Sequence, residues 1–149
     1  STSGVIPGIR KFADNPEQFT LAVSLHSAIQ STRNKIMPGV KKHTLLRLHE
    51  ALQLYTEKTG RRPTYEYAMI EGVNDTNPEM QALCDFCEGT LLNDIEGSPL
   101  KPSPIHKVED LQRRLESRGI ETTIRNSRGN DINAACGQLK QRFKVQKNA

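Results

Sequence analysis

The sequence lacks a long hydrophobic run, and no segment approaches the roughly 20 consecutive apolar residues of a membrane-spanning helix. Its first residues also lack the charged start, apolar middle and small-residue cleavage site of a secretory signal. It has three cysteines, an odd number that argues against a closed set of disulfides and favours reduced thiols. These absences predict a soluble, cytoplasmic protein with no membrane partner.

The composition allows one domain with a modest core. The chain has 149 residues, of which 35% are hydrophobic, and its apolar runs recur at regular intervals without internal repeats. The net charge of +4 and the isoelectric point near 9.1 suit an anionic partner such as nucleic acid, although an excess of this size is also common on ordinary domains. Charge alone therefore leaves the class of partner open.

Hydrophobic periodicity predicts three strands and three helices, in the order strand, helix, strand, helix, helix, strand. The predicted strands cover residues 19–26, 63–75 and 120–129, and the predicted helices cover 43–62, 77–90 and 104–119. Thr44 and Asn77 are the predicted N-caps of the first two helices, and Gly60 and Gly119 follow the first and third. This order is nearly that of a βα-repeat, in which the strands are parallel.

One strand of the repeat is missing from this prediction. Between the second and third helices the chain offers only "LLNDIEGSPLKPS", in which "LLN" is too short for the strand that the alternation requires. We therefore expect a missing strand between Thr90 and Asn93, so that either the repeat is broken there or residues are absent from the chain.

Polar residues follow the predicted strands. They lie at 24–26, 71–75 and 126–131, and "STSG" at 1–4 has the character of another strand end. Because ligands of βα-repeat proteins gather at the carboxyl ends of the strands, these segments predict a pocket on one rim.

The residues of this rim each have two interpretations. His26 is either an ordinary polar residue at a strand end or a ligand contact. Asn74 and Asp75 indicate a turn or a helix cap more than a site. Arg125 and Arg128 are either solvated charges or phosphate ligands, because the planar guanidinium suits phosphate.

The three cysteines differ in their surroundings. Cys84 and Cys87 form a C-x-x-C within a predicted helix, without a second pair or paired histidines, which favours buried packing over a zinc or redox site. Cys136 lies between alanines and a glycine after the two arginines of the last strand. That setting indicates either tight packing or a thiolate that large partners can approach.

Five motifs resemble, in order and approximate spacing, the radical S-adenosylmethionine (SAM) RNA methyltransferases of the dual-specificity type. They are "STSGVIPGI", "AVSLHSA", "IMPGVKKH", "YEYAMIEGVND" and "TTIRNSRGNDINAACGQL". These enzymes methylate carbon 2 of an adenine in large-subunit ribosomal RNA and in some transfer RNAs. The resemblance covers nearly the whole chain and only the C-terminal half of the family. It implies an α/β fold that is the C-terminal part of an open (β/α) radical-SAM partial barrel, with parallel strands and outer helices.

The resemblance also implies a chemistry for the rim. Cys136 matches the cysteine that accepts a methyl group from one SAM and becomes S-methylcysteine. A radical made from a second SAM then takes a hydrogen from this methyl group, and the carbon adds to a flipped-out adenine. The residues that match the family's SAM contacts are Ser1, Ser24, Leu25, His26 and Asn93. In the family the asparagine ends a strand resembling "HVNLIP", of which this sequence keeps only "LLND".

The family's cluster motif, C-x-x-x-C-x-x-C, is absent from the sequence and belongs to the N-terminal half. The resemblance therefore implies an intact enzyme with SAM, a four-iron four-sulfur cluster, a reductant and a ribosomal or transfer RNA substrate. The five motifs place no metal ligand in residues 1–149, which are expected to be inactive alone and to end in a basic tail at about 140–149.

Three alternatives stay open. A sister group methylates carbon 8 of the same nucleotide, but "STSG" and Arg128 favour the carbon-2 type. A stand-alone RNA-binding module could use the tail "KQRFKVQK" to hold phosphates. A small zinc or redox domain would be built on Cys84 and Cys87.

Overall fold

Four parallel strands form one sheet and are neighbours in chain order. The structure, a computed structural model, describes residues 1–15, 19–88, 91–97 and 102–125. The strands are β1 (Ala22–Ser24), β2 (Thr64–Met69), β3 (Leu91–Gly97) and β4 (Thr122–Arg125). The predicted α/β architecture with parallel strands is confirmed, although the first two predicted strands are longer than β1 and β2.

Within the described ranges, five helices accompany the strands: α1 (Ile6–Ala13), α2 (Gln30–Ile36), α3 (Leu45–Thr59), α4 (Asn77–Cys87) and α5 (Ile105–Glu116). A short 3₁₀ turn covers Pro38–Val40. The sequence pattern missed α1 and α2 because they have only 8 and 7 residues and their N-termini have no side-chain cap. No helix in the described part of the chain is long and apolar enough to cross a membrane.

The ends of α3 follow from its sequence. The Thr44 side-chain oxygen accepts a hydrogen bond of 3.4 Å from the Arg47 backbone N–H, which caps the first turn. Gly60 ends the helix with φ +69°, a left-handed conformation that favours glycine. The two predicted helix signals are confirmed.

The predicted cap of α4 is wrong by one residue. Thr76 occupies the N-cap position, and Asn77 is the first residue of the helix. The Asn77 side-chain oxygen instead accepts a hydrogen bond of 2.9 Å from the Arg114 guanidinium on α5. Asn77 therefore links two helices rather than capping its own.

The strand that was expected to be missing is present as β3 (Leu91–Gly97). Its sequence, "LLNDIEG", has three polar residues among seven and little β-propensity, so the pattern did not predict it. The strand pairs with β2 on one side and β4 on the other. The two neighbours supply the tertiary context that outweighs weak local preference.

The two faces of the sheet differ in burial. Alternate residues of β1 and β2, together with the residue after β1, are almost completely buried in one core with the helices: Val23, Leu25, Tyr65, Tyr67 and Met69. The residues between them, Ala22, Ser24, Glu66 and Ala68, are only half-buried. The alternation of side chains along a strand therefore gives the sheet one core face and one partly open, more polar face.

Candidate functional site

The N-terminal segment lies along the edge strand β1. The Thr2 N–H donates to the Ala22 carbonyl oxygen, and the Ser24 N–H donates to the Thr2 carbonyl oxygen, both at 2.8 Å. Thr2 pairs in parallel with Val23, so Ser1 falls by alternation on the same face as Ala22 and Ser24. "STSG" is thus joined to the strand that leads into "SLH" by a single parallel bridge, and the structure brings these two predicted segments together.

Ser24 points to a carboxylate on the polar face. Its hydroxyl donates a hydrogen bond of 2.9 Å to the Glu66 Oε2 atom of the neighbouring strand. The two residues are register partners in the β1–β2 ladder. No sequence motif predicts Glu66, whose only signal is its charge in the middle of an otherwise apolar strand.

His26 has an unusual backbone and a fixed tautomer. It is the only described non-glycine residue with positive φ, at +55°. Its Nδ1 atom accepts a hydrogen bond of 3.1 Å from the Ala68 N–H, so the neutral ring carries its proton on Nε2. Burial lowers the pKa of His26, with Glu66 raising it and Arg33 lowering it further. The ring therefore offers a neutral Nε2–H donor.

The Asn74 side chain fixes the ends of β1 and β2. It is completely buried, and its Nδ2 donates to the His26 and Ala68 carbonyl oxygens at 2.7 and 2.8 Å. Its Oδ1 accepts from the Ile70 N–H at 2.7 Å. The turn interpretation of Asn74 is confirmed, but the turn residue also holds His26 in place.

Asp75 anchors the same turn to α5. Its carboxylate accepts hydrogen bonds from the Gly72 N–H (2.8 Å), the Ser103 hydroxyl (3.0 Å) and the Lys107 ammonium (3.0 Å). Burial raises the pKa of Asp75, but the bonds from Lys107, Gly72 and Ser103 outweigh it and leave the pKa below its ordinary value. Asp75 is thus an ionised structural residue.

The remaining predicted site residues differ in position. Leu25 is completely buried in the core, and its backbone N–H donates to the Glu66 carbonyl oxygen at 3.0 Å, so the described structure leaves no exposed part of Leu25 for a ligand contact. Asn93 lies inside β3 rather than after a strand, where the register with β2 shifts. Ser1 is exposed. Cys136, Arg128 and the basic tail lie outside the described residues.

Cys84 and Cys87 belong to the core. Neither cysteine forms a disulfide with a described residue, and both are at most 1% exposed, on the inner side of α4. Burial is the largest influence on the Cys84 thiol and raises its pKa, which disfavours the reactive thiolate. Among the described residues no group of three or more metal-binding side chains occurs. The packing interpretation of the C-x-x-C is therefore confirmed.

The polar face of the sheet has the side chains to bind SAM but lacks, among the described residues, thiolates to bind an iron–sulfur cluster. The Ser24 hydroxyl, the Glu66 carboxylate and the His26 Nε2–H offer acceptors and donors to hydroxyl, amino and nucleobase groups, as SAM carries. An iron–sulfur cluster needs several thiolates together, and the two described thiols are buried in the core. The described residues fit SAM and do not fit the cluster.

Comparison with known proteins identifies relatives over nearly the whole chain. A Clostridium perfringens (strain 13 / Type A) protein named probable dual-specificity RNA methyltransferase RlmN is 39% identical over 150 residues, which cover 96% of this chain and 43% of that protein. An Alkaliphilus oremlandii (strain OhILAs) protein of the same name is 40% identical over 149 residues, covering 95% and 43%. No family model matches the chain.

Solved structures give the same relationship. A radical SAM methyltransferase from Sphaerobacter thermophilus superposes with a TM-score of 0.81 at 35% identity, over 92% of this chain and 43% of that one. A domain of pyruvate-formate lyase-activating enzyme from Bacteroides vulgatus, at 13% identity and a TM-score of 0.66, shares the fold alone and covers 83% of this chain and 78% of that one. The chain therefore belongs to the radical SAM RNA methyltransferase family, and it spans less than half the length of the relatives it matches.

Proposed function

We propose that the intact protein methylates carbon 2 of adenine in large-subunit ribosomal RNA, and in transfer RNA, through S-methylcysteine at Cys136. The single observation that carries the proposal is the juxtaposition of "STSG" and "SLH" at one end of a parallel sheet, in a chain related to proteins named RNA methyltransferases. This chain forms the C-terminal half of the catalytic core.

The residues of the polar face would hold SAM. Ser1, Ser24 and His26 offer side-chain contacts, Leu25 lies buried between the last two, and Asn93 lies on β3, two strands away from β1. The Glu66 carboxylate orients the Ser24 hydroxyl and adds negative charge where a cationic ligand would bind. When bound, SAM supplies an electrophilic methyl group.

Cys136 is the proposed methyl carrier. Its thiolate sulfur takes the methyl group as the bond from that carbon to the SAM sulfur breaks, and the thiol proton goes to solvent. The neighbours of Cys136 in the sequence, Ala134, Ala135 and Gly137, are small and would leave room for two large reactants at one sulfur. Arg125 and Arg128 come before it in the sequence and would favour the thiolate.

Other requirements come from outside this chain. We propose that the ligands of the four-iron four-sulfur cluster belong to the N-terminal half, and that a separate reductant supplies its electrons.

Within this chain, the basic tail at about 140–149 would hold RNA phosphates. A ribosomal RNA substrate would place the intact enzyme in the cytoplasm.

The proposal is tested with the intact protein, its reconstituted cluster, a reductant, methyl-labelled SAM and ribosomal RNA from a strain lacking the modification. Digestion to nucleosides and mass spectrometry should find labelled 2-methyladenosine. Recovery of the label in 8-methyladenosine would favour the sister group. RNA binding without transfer of label to the RNA would favour the stand-alone RNA-binding module. A transfer RNA substrate in parallel tests dual specificity.

A further inference from the structure

Arg33 on α2 is a buried guanidinium that forms no ion pair within the described part of the chain. It is 0% exposed, and its Nη2 donates a hydrogen bond of 2.8 Å to the Ser3 carbonyl oxygen. Its Nε and Nη1 atoms have no hydrogen-bond partner among residues 1–15, 19–88, 91–97 and 102–125, nor does a carboxylate of these ranges pair with it. Burying such a cation is costly, and an apolar side chain of similar volume would usually avoid the cost.

The one side-chain hydrogen bond that Arg33 makes within the described residues reaches the segment at residues 1–4. Gly4 has φ +87°, and a Cβ atom there would lie 2.9 Å from Arg33 Nη2 and 3.2 Å from Leu48 Cδ2. The Thr2 hydroxyl oxygen accepts from the Gly4 N–H at 3.3 Å. The segment is therefore packed directly on the guanidinium, with no room for a side chain at Gly4.

Arg33 thus supports the segment from its core side. The opposite side of the same segment, with Ser1, faces the polar surface beside Ser24. A small movement of the Ser3 carbonyl would shift the Ser1 side chain, because the two residues are separated by one residue of a strand. Ligand sites are sensitive to displacements of about 1 Å.

We propose that Arg33 is a positioning residue that holds segment 1–4 in its SAM-contacting position. This inference rests on the proposed function. The guanidinium is retained at the expense of stability because its bond to Ser3 fixes the segment on which the ligand contact lies.

The test uses the intact protein with Arg33→Met, Arg33→Lys and the exposed control Arg47→Met. Three quantities are measured: the thermal midpoint, the dissociation constant for SAM by calorimetry, and deuterium exchange of the amides at 1–4. Arg33→Met should keep or raise the thermal midpoint. It should raise the dissociation constant for SAM about tenfold or more and speed deuterium exchange of the amides at residues 1–4. Arg33→Lys should recover part of the SAM affinity, and the control should match the wild type.

A purely structural role predicts the opposite pattern. Arg33→Met with a lower thermal midpoint but SAM affinity within about twofold of the wild type would overturn the inference, as would failure of both Arg33 variants to fold. If the wild-type protein itself binds no SAM, the proposed function fails. If the wild type binds SAM and Arg33→Met binds it equally well, only the role of Arg33 fails.

Discussion

The Asn74 side-chain amide donates a hydrogen bond of 2.7 Å to the backbone carbonyl oxygen of His26, 48 residues earlier in the chain. The same amide bonds to Ala68 and Ile70 at the end of β2. One buried side chain therefore couples the ends of two strands and supports the left-handed backbone of His26.

Replacement of Asn74 should be strongly destabilising. Asn74→Ala leaves the Ile70 N–H and two carbonyl oxygens without these partners, and we expect a loss of about 2–4 kcal/mol in the free energy of unfolding. Urea denaturation measures the loss. Asn77→Ala, which removes only the exposed hydrogen bond from Arg114, is the matched control and should cost less than about 1 kcal/mol. Equal effects of the two replacements would contradict the role given to Asn74.

Asp75 should contribute more to stability than a surface aspartate. Asp75→Asn weakens bonds from Gly72, Ser103 and Lys107 and should cost about 1–3 kcal/mol. The control Asp110→Asn disrupts a partly exposed ion pair with Arg114 and should cost about 0.2–1 kcal/mol.

The Asp75 contribution should depend on pH in a defined direction. Because the folded pKa of Asp75 lies below its unfolded value, its stabilisation is complete above the unfolded pKa and is lost as pH falls through the folded pKa. Urea denaturation of the wild type and Asp75→Asn should therefore give curves that converge in acid. Curves that stay parallel would refute an ionised Asp75.

His26 should make the protein less stable in mild acid. Burial lowers its folded pKa, so the unfolded state binds more protons once pH falls below the unfolded pKa of His26. The stability of the wild type should then fall more steeply than that of His26→Gln, by at most about 1.4 kcal/mol per pH unit. Urea denaturation between pH 7 and pH 5 measures both slopes. A steeper fall in His26→Gln would contradict a neutral histidine.

The ring nitrogens of His26 can also be observed directly. Nitrogen NMR of the labelled protein near pH 7 should show a proton on Nε2 and none on Nδ1, because Nδ1 accepts from Ala68. A protonated Nδ1 would contradict the hydrogen bond.

The sequence predicted the parts of the fold whose signals are local. The periodicity of α3 with Thr44 and Gly60, and the apolar runs of β1 and β2, are dictated by nearby residues and were predicted correctly in kind. β3 was not, because its polar sequence forms a strand only between two existing strands. Pairing partners distant in sequence are invisible to a local pattern.

The candidate site divides in the same way. The convergence of "STSG" and "SLH" followed from the rule that ligands gather at strand ends, and the structure brings them together. Glu66 and Arg33 were missed because neither has a motif of its own. Each acts through one hydrogen bond to a residue 42 or 30 positions away, which only the folded chain discloses.

The measurement that tests the central claim most directly is the fate of the methyl label in Cys136→Ser. The intact variant, with its cluster and methyl-labelled SAM, is compared with the wild type and with Cys84→Ser, which makes the same chemical change at a buried thiol. We predict that Cys136→Ser folds and binds SAM but transfers no methyl to RNA, with no label on the peptide containing residue 136. Cys84→Ser should still transfer label. Substantial RNA methylation by Cys136→Ser would contradict the account.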